Sequence, residues 1–191
     1  MRPSFIPLVA VAISLFAPTL RAGLMIEQVG SSTAVGPNNQ FLYAIEFTTA
    51  TGQEQISPGD FVTIYDVGTT GAGGTFVSAT AAPLFSVATA LTGLDGPQTL
   101  PNDDPNLVNV TFTYTGVAPI IVDSTFTPFS IISTQGGSTL DDYTSQRTDA
   151  TGLDAGTKIG EVGRVSVPAI PEPASLTLLA LGLAALRRRR I

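Results

Sequence analysis

The sequence has 191 residues, 43% of them apolar and only 13% charged, with a formal net charge of −6; that is the length of one domain and too much hydrophobic material for a disordered chain. It contains no Cys, His or Trp, which excludes Ser-His-Asp and Cys-His nucleophile systems, imidazole and thiolate zinc sites, and haem ligation through His or Cys. Residues 24–167 hold 14 acidic residues against Arg147, Lys158 and Arg164, a net of −11. Such a surface repels phosphate backbones and anionic headgroups and argues against nucleic acid as a partner.

The N-terminus has the layout of a secretory leader. Arg2 supplies a positive start, residues 5–16 an apolar segment, and Leu20-Arg21-Ala22 a small-residue cleavage site. Pro7 and Pro18 interrupt the apolar stretch, and it falls short of the roughly 20 residues that span a bilayer. Residues 1–22 are therefore expected to be a signal helix, handled by the secretion machinery and removed by signal peptidase after Ala22.

From residue 24 to 167 the dominant period is two. Phe41, Tyr43, Ile45 and Phe47 alternate with Leu42, Ala44 and Glu46; residues 61–65, 107–115 and 129–132 repeat the pattern. The Thr-rich, β-branched composition suits a pleated, half-buried surface. Turn chemistry separates these runs at Gly36-Pro37, Ser57-Pro58-Gly59-Asp60, 68–74, Asp95-Gly96-Pro97, 101–105 and Gly136-Gly137. The spacing predicts nine or ten strands in an all-β fold, an antiparallel two-sheet sandwich or jelly roll.

Within this body only carboxylates could carry chemistry. Asp103 and Asp104 lie in a Pro/Asn loop, and Asp141 and Asp142 precede Asp149 and Asp154 in a stretch read as loop-rich. A glycosidase needs two carboxylates about 5 to 10 Å apart across a sugar, and the absence of Trp removes the usual aromatic platform, so a glycan-active hydrolase ranks third among the readings. Calcium has a better motive, since Asn102, Asp103, Asp104 and Asn106 offer hard oxygens on one loop, with Asp103 and Asp104 as the metal candidates. No EF-hand or RTX spacing supports it, and the ordinary reading is a solvated acidic loop with no cofactor. Thr111, Thr113 and Thr115 share one strand face; no repeat extends the row, so it reads as a solvent face and not an ice-binding array. Asn109-Val110-Thr111 matches a glycosylation sequon, a short pattern that carries no weight by itself.

The C-terminus has three parts: Pro171-Glu172-Pro173, an apolar run at 176–186, and Arg187, Arg188, Arg189 and Arg190. The prolines lack a donor and hold the chain extended, as a protease cleft requires. Residues 174–186 form a helix of about 20 Å against a hydrocarbon core of about 30 Å, short for a permanent anchor. The four arginines form a stop signal that stays on the cytoplasmic side and leaves the body outside.

In this order the three parts closely resemble the PEP-CTERM sorting signal, a tail also known as an ice-binding protein C-terminal domain. The resemblance covers about 20 residues. It implies processing by an exosortase, a membrane protease cutting near Pro171-Glu172-Pro173, in bacteria that export polysaccharide. The segments 56–67 and 109–116 are also similar to recurrent stretches of small PEP-CTERM proteins, without an activity to carry over. The expected organisation is a signal peptide at 1–22, a β-sandwich body at 24–167 and a sorting signal at 168–191. The expected role is a non-enzymatic cell-surface or matrix protein of biofilm exopolysaccharide, first tethered to the inner membrane by its short C-terminal helix. The alternative is a carbohydrate-binding or adhesive module, with or without calcium.

Overall fold

A computed structural model describes residues 23–49 and 53–170; the expected leader helix and the tail beyond residue 170 lie outside them. Eleven strands carry the described residues: β1 Gly23–Gln28, β2 Thr33–Val35, β3 Asn38–Thr48, β4 Glu54–Gln55, β5 Phe61–Ile64, β6 Phe76–Thr80, β7 Phe85–Ala90, β8 Asn109–Tyr114, β9 Ser124–Ser133, β10 Ser138–Asp149 and β11 Lys158–Pro168. They pair in antiparallel fashion as two sheets. The first runs β1-β3-β9-β6, with β2 also on β3; the second runs β11-β10-β5-β8-β7, with β4 also on β10. The expected two-sheet organisation is present.

The alternating runs do what their period demands. Phe41, Tyr43, Ile45 and Phe47 of β3 and Phe129 and Ile131 of β9 face Val62 and Ile64 of β5, Val110, Phe112 and Tyr114 of β8, and Val165 and Val167 of β11, all in one buried cluster. Phe85 stands edge-on to Tyr114, Phe126 and Phe129, with ring centroids 5.1 to 5.5 Å apart. The Tyr43 hydroxyl crosses the layer to donate to the Ser166 carbonyl at 3.0 Å, and burial raises its pKa. In β9 the register against β3 gains a residue between Phe129 and Phe126, a bulge at Thr127-Pro128 that accommodates a proline unable to donate to the ladder.

One expectation is overturned. Asp141, Asp142 and Asp149, read as part of a loop-rich stretch reaching Asp154, lie on the twelve-residue strand β10, which sits inside the second sheet between β11 and β5, while Asp154 lies in the turn that follows. The β10 sequence lacks apolar alternation because Thr144, Ser145, Arg147 and Thr148 are all buried and most find partners inside the fold.

Those partners lie under a strap. The chain between β7 and β8 crosses the outer face of the second sheet. A Cβ on Gly93 would lie 2.6 Å from the Tyr65 ring and 2.8 Å from Thr63 Cγ2, and one on Gly96 would lie 2.5 Å from the Ser145 carbonyl oxygen. Glycine permits that approach. Beneath the strap the Thr63 and Thr111 hydroxyls bond each other at 2.9 Å. Thr111 is only 6% exposed, so the threonine row is covered at that end, while Thr113 is half-buried and Thr115 exposed.

Candidate functional site

The strap gathers carboxylates at one rim of the sheet. Directly after β5, Asp66 turns in a left-handed conformation, φ 54°, and is 4% exposed. Its N–H donates to Asn109 Oδ1 at 2.9 Å, and its carboxylate accepts the Asp104 N–H at 3.1 and 3.3 Å. Burial, outweighing that hydrogen bond and reinforced by the charges of Asp141, Asp103 and Asp104, pushes its pKa up to about 6. Beside it the Tyr65 hydroxyl donates to Asp95 Oδ1 at 2.5 Å and sits 3.0 Å from the Leu94 carbonyl. Burial first, then the Asp95 carboxylate, holds the Tyr65 phenol protonated well above its usual range.

Asp103 and Asp104 join this rim, and one oxygen of each holds the loop. Asp103 Oδ1 accepts from Asn109 Nδ2 at 2.9 Å. Asp104 Oδ1 accepts from the Asn106 N–H and side-chain amide at 2.9 and 2.8 Å, and these donors hold its pKa below the usual carboxylate value. Asp142 accepts the Asn102 N–H at 2.9 Å and faces Arg164 at 3.7 Å; Asp141 caps the Asp142 N–H at 2.8 Å, and its pKa is raised by burial. Asp149 stands eight positions away on the same strand, about 27 Å at the strand rise. No group of three or more carboxylates among the described residues is arranged to hold a metal ion. Asn109 of the sequon is buried, with its amide committed to the rim.

A second polar centre, which the sequence reading missed, explains the Ser57-Pro58-Gly59-Asp60 turn. Asp60 is fully buried. Its carboxylate accepts from the Ser57 N–H at 2.7 Å, Gln146 Nε2 at 3.2 Å, Thr148 Oγ1 at 2.7 Å and Lys158 Nζ at 2.7 Å. A side chain bonding back to an N–H three residues earlier closes the turn, while the other donors pin it to β10 and β11. Asp is thus required two residues after Pro58 for scaffolding. All three cations of the body are committed in this way, with Arg147 between Glu54 and Glu161.

The last strand ends at Pro168, where the Ala169 N–H donates to the Gly137 carbonyl at 2.8 Å. Residues 169–190 match the model of the PEP-CTERM protein-sorting motif. The class is therefore that of β-rich proteins carrying a PEP-CTERM tail, and the motif implies export and processing by an exosortase. No curated protein matches the chain. Pro171, Glu172, Pro173 and the arginines 187–190 lie outside the described residues; among the described ones no helix is long and apolar enough to cross a membrane.

Proposed function

We propose that the protein is a non-enzymatic surface or matrix component, exported through its leader, tethered transiently by its tail, and released by an exosortase into exopolysaccharide. The observation that carries the reading is the junction: the sorting motif starts at residue 169, one residue after the last strand ends. A cut at Pro171-Glu172-Pro173 falls beyond the end of β11. The body's carboxylates support a scaffold role, because Asp60, Asp66, Asp103, Asp104 and Asp142 each accept hydrogen bonds from the protein itself.

Intact mass of the protein recovered from the producing bacterium, from cell and polysaccharide fractions, tests this. The expected main species runs from Gly23 to near Pro173 and fractionates with polysaccharide. A main species keeping both hydrophobic ends overturns the reading. Replacing Arg187 to Arg190 by Ser is expected to abolish that processing, since so short an apolar segment depends on its basic flank for orientation.

A further inference from the structure

The first described residue sits in an unusual place. Gly23 is buried and opens β1, paired with Thr48 of β3. A Cβ there would press on Glu161 Oε2, closer than real Cβ contacts allow. Backbone N and Cβ of one residue are about 2.5 Å apart, so the Gly23 nitrogen lies within about 5.5 Å of that carboxylate.

Glu161 belongs to a secluded ionic group. Arg147 Nε faces Glu54 Oε2 at 2.9 Å and Arg147 Nη1 faces Glu161 Oε2 at 3.2 Å, with the three side chains only 11 to 17% exposed. Two carboxylates share one guanidinium, which leaves a net charge of −1. The group is also incompletely bonded: Glu54 Oε2 and Arg147 Nε are buried atoms whose mutual contact lacks hydrogen-bond alignment. Secluded charges of this kind are costly unless balanced. The cluster's net charge leaves room for one more cation, and the body's other two, Lys158 and Arg164, are paired elsewhere.

We propose that the α-ammonium created at Gly23 by leader removal is that cation: it docks on Glu161, neutralises the Glu54–Arg147–Glu161 cluster, and makes cleavage after Ala22 the step that completes the fold. This rests on the leader reading above and adds a destination for the new terminus. Glycine at this position follows from the same geometry, because any side chain would displace the carboxylate from the ammonium's place. The charged group facing the position is Glu161 on β11, with Arg147 on β10 paired to it and Glu54 on β4 paired to Arg147; Asp123 already holds the Thr49 N–H at 2.7 Å. An ammonium that gains a carboxylate on folding has its pKa raised above the ordinary α-amino value of about 8. Its stabilisation is complete below pH 8 and is lost as pH rises through the higher folded value.

The test uses the full gene expressed in the producing bacterium, wild type and with Ser-Ser inserted between Ala22 and Gly23, the exported proteins being purified and their first residues fixed by intact mass. The wild-type protein is expected to melt about 3 °C above the extended one at pH 7, with the gap closing by about pH 10 and vanishing when both carry Glu161→Gln. Its α-amine is expected to react with an acylating reagent at pH 7 at least tenfold more slowly than that of the extended protein, a readout that needs no change in the body. A verified Gly23 start with equal melting and equal amine reactivity overturns the docking and leaves the leader reading intact. A mature chain starting elsewhere overturns both.

Discussion

The second sheet has two faces that are filled in opposite ways. Its inner face presents Val62, Ile64, Val110, Phe112, Tyr114, Val165 and Val167 to the other sheet, a core of carbon atoms. The outer face presents Thr63, Tyr65, Thr111 and Thr144, buried under the strap and joined hydroxyl to hydroxyl, with Tyr65 and Thr144 2.9 Å apart. The inner face is stabilised by removal of apolar area from water. The outer one gains little net from each hydrogen bond but loses heavily when a buried polar atom is left unpaired. The apolar face therefore tolerates changes of identity that conserve volume, while the polar face tolerates few changes of geometry.

The sharpest separation comes from deletion at the centre of the inner face. Phe112 is fully buried and its ring lies 4.8 Å from that of Phe129; Phe112→Ala is expected to cost about 4 kcal/mol in urea denaturation, while Phe112→Leu costs less than half of that. A smaller effect is expected on the outer face, where Gly96→Ala drives a methyl into the Ser145 carbonyl and toward Gly160 Cα. That added methyl is expected to cost about 2 kcal/mol through displacement of the strap. Loss of protection in amide exchange at Thr63 and Thr144, with the inner core still protected, would show that the strap had lifted. Equal loss on both faces would break the comparison.

The smallest effect concerns pH. Asp66 titrates near 6 in the fold, above an unfolded value of about 3.9, so the native state binds the extra proton between those values. Stability from this group is greatest below about pH 4 and falls as pH rises to about 6. Asn tolerates the left-handed backbone and can still accept the Asp104 N–H. Wild type minus Asp66→Asn stability is therefore expected to drop by about 1 kcal/mol between pH 4 and 7, roughly half of the ~2 kcal/mol that the full shift carries, because solvent at the rim screens these charges; a difference independent of pH would mean that the rim leaves Asp66 an ordinary carboxylate.

The sequence by itself determined the elements whose physics is local. Period-two alternation in 41–47 and 61–65 marks strands because one face must be apolar, and Pro58-Gly59 marks a turn because of what its backbone permits. The order of the three tail elements was likewise legible, since a sorting signal is read as an extended sequence. Only the tertiary structure decided the rest. The strand nature of 138–149, the burial of Thr111, the closure of Asp60 on Lys158 across 98 positions and the meeting of Asp66 with Asp104 and Asp141 depend on partners distant in the chain. Polar side chains carry no one-dimensional signature of burial: the same Thr or Asp is a solvent group or a core group according to whether the fold brings it a partner.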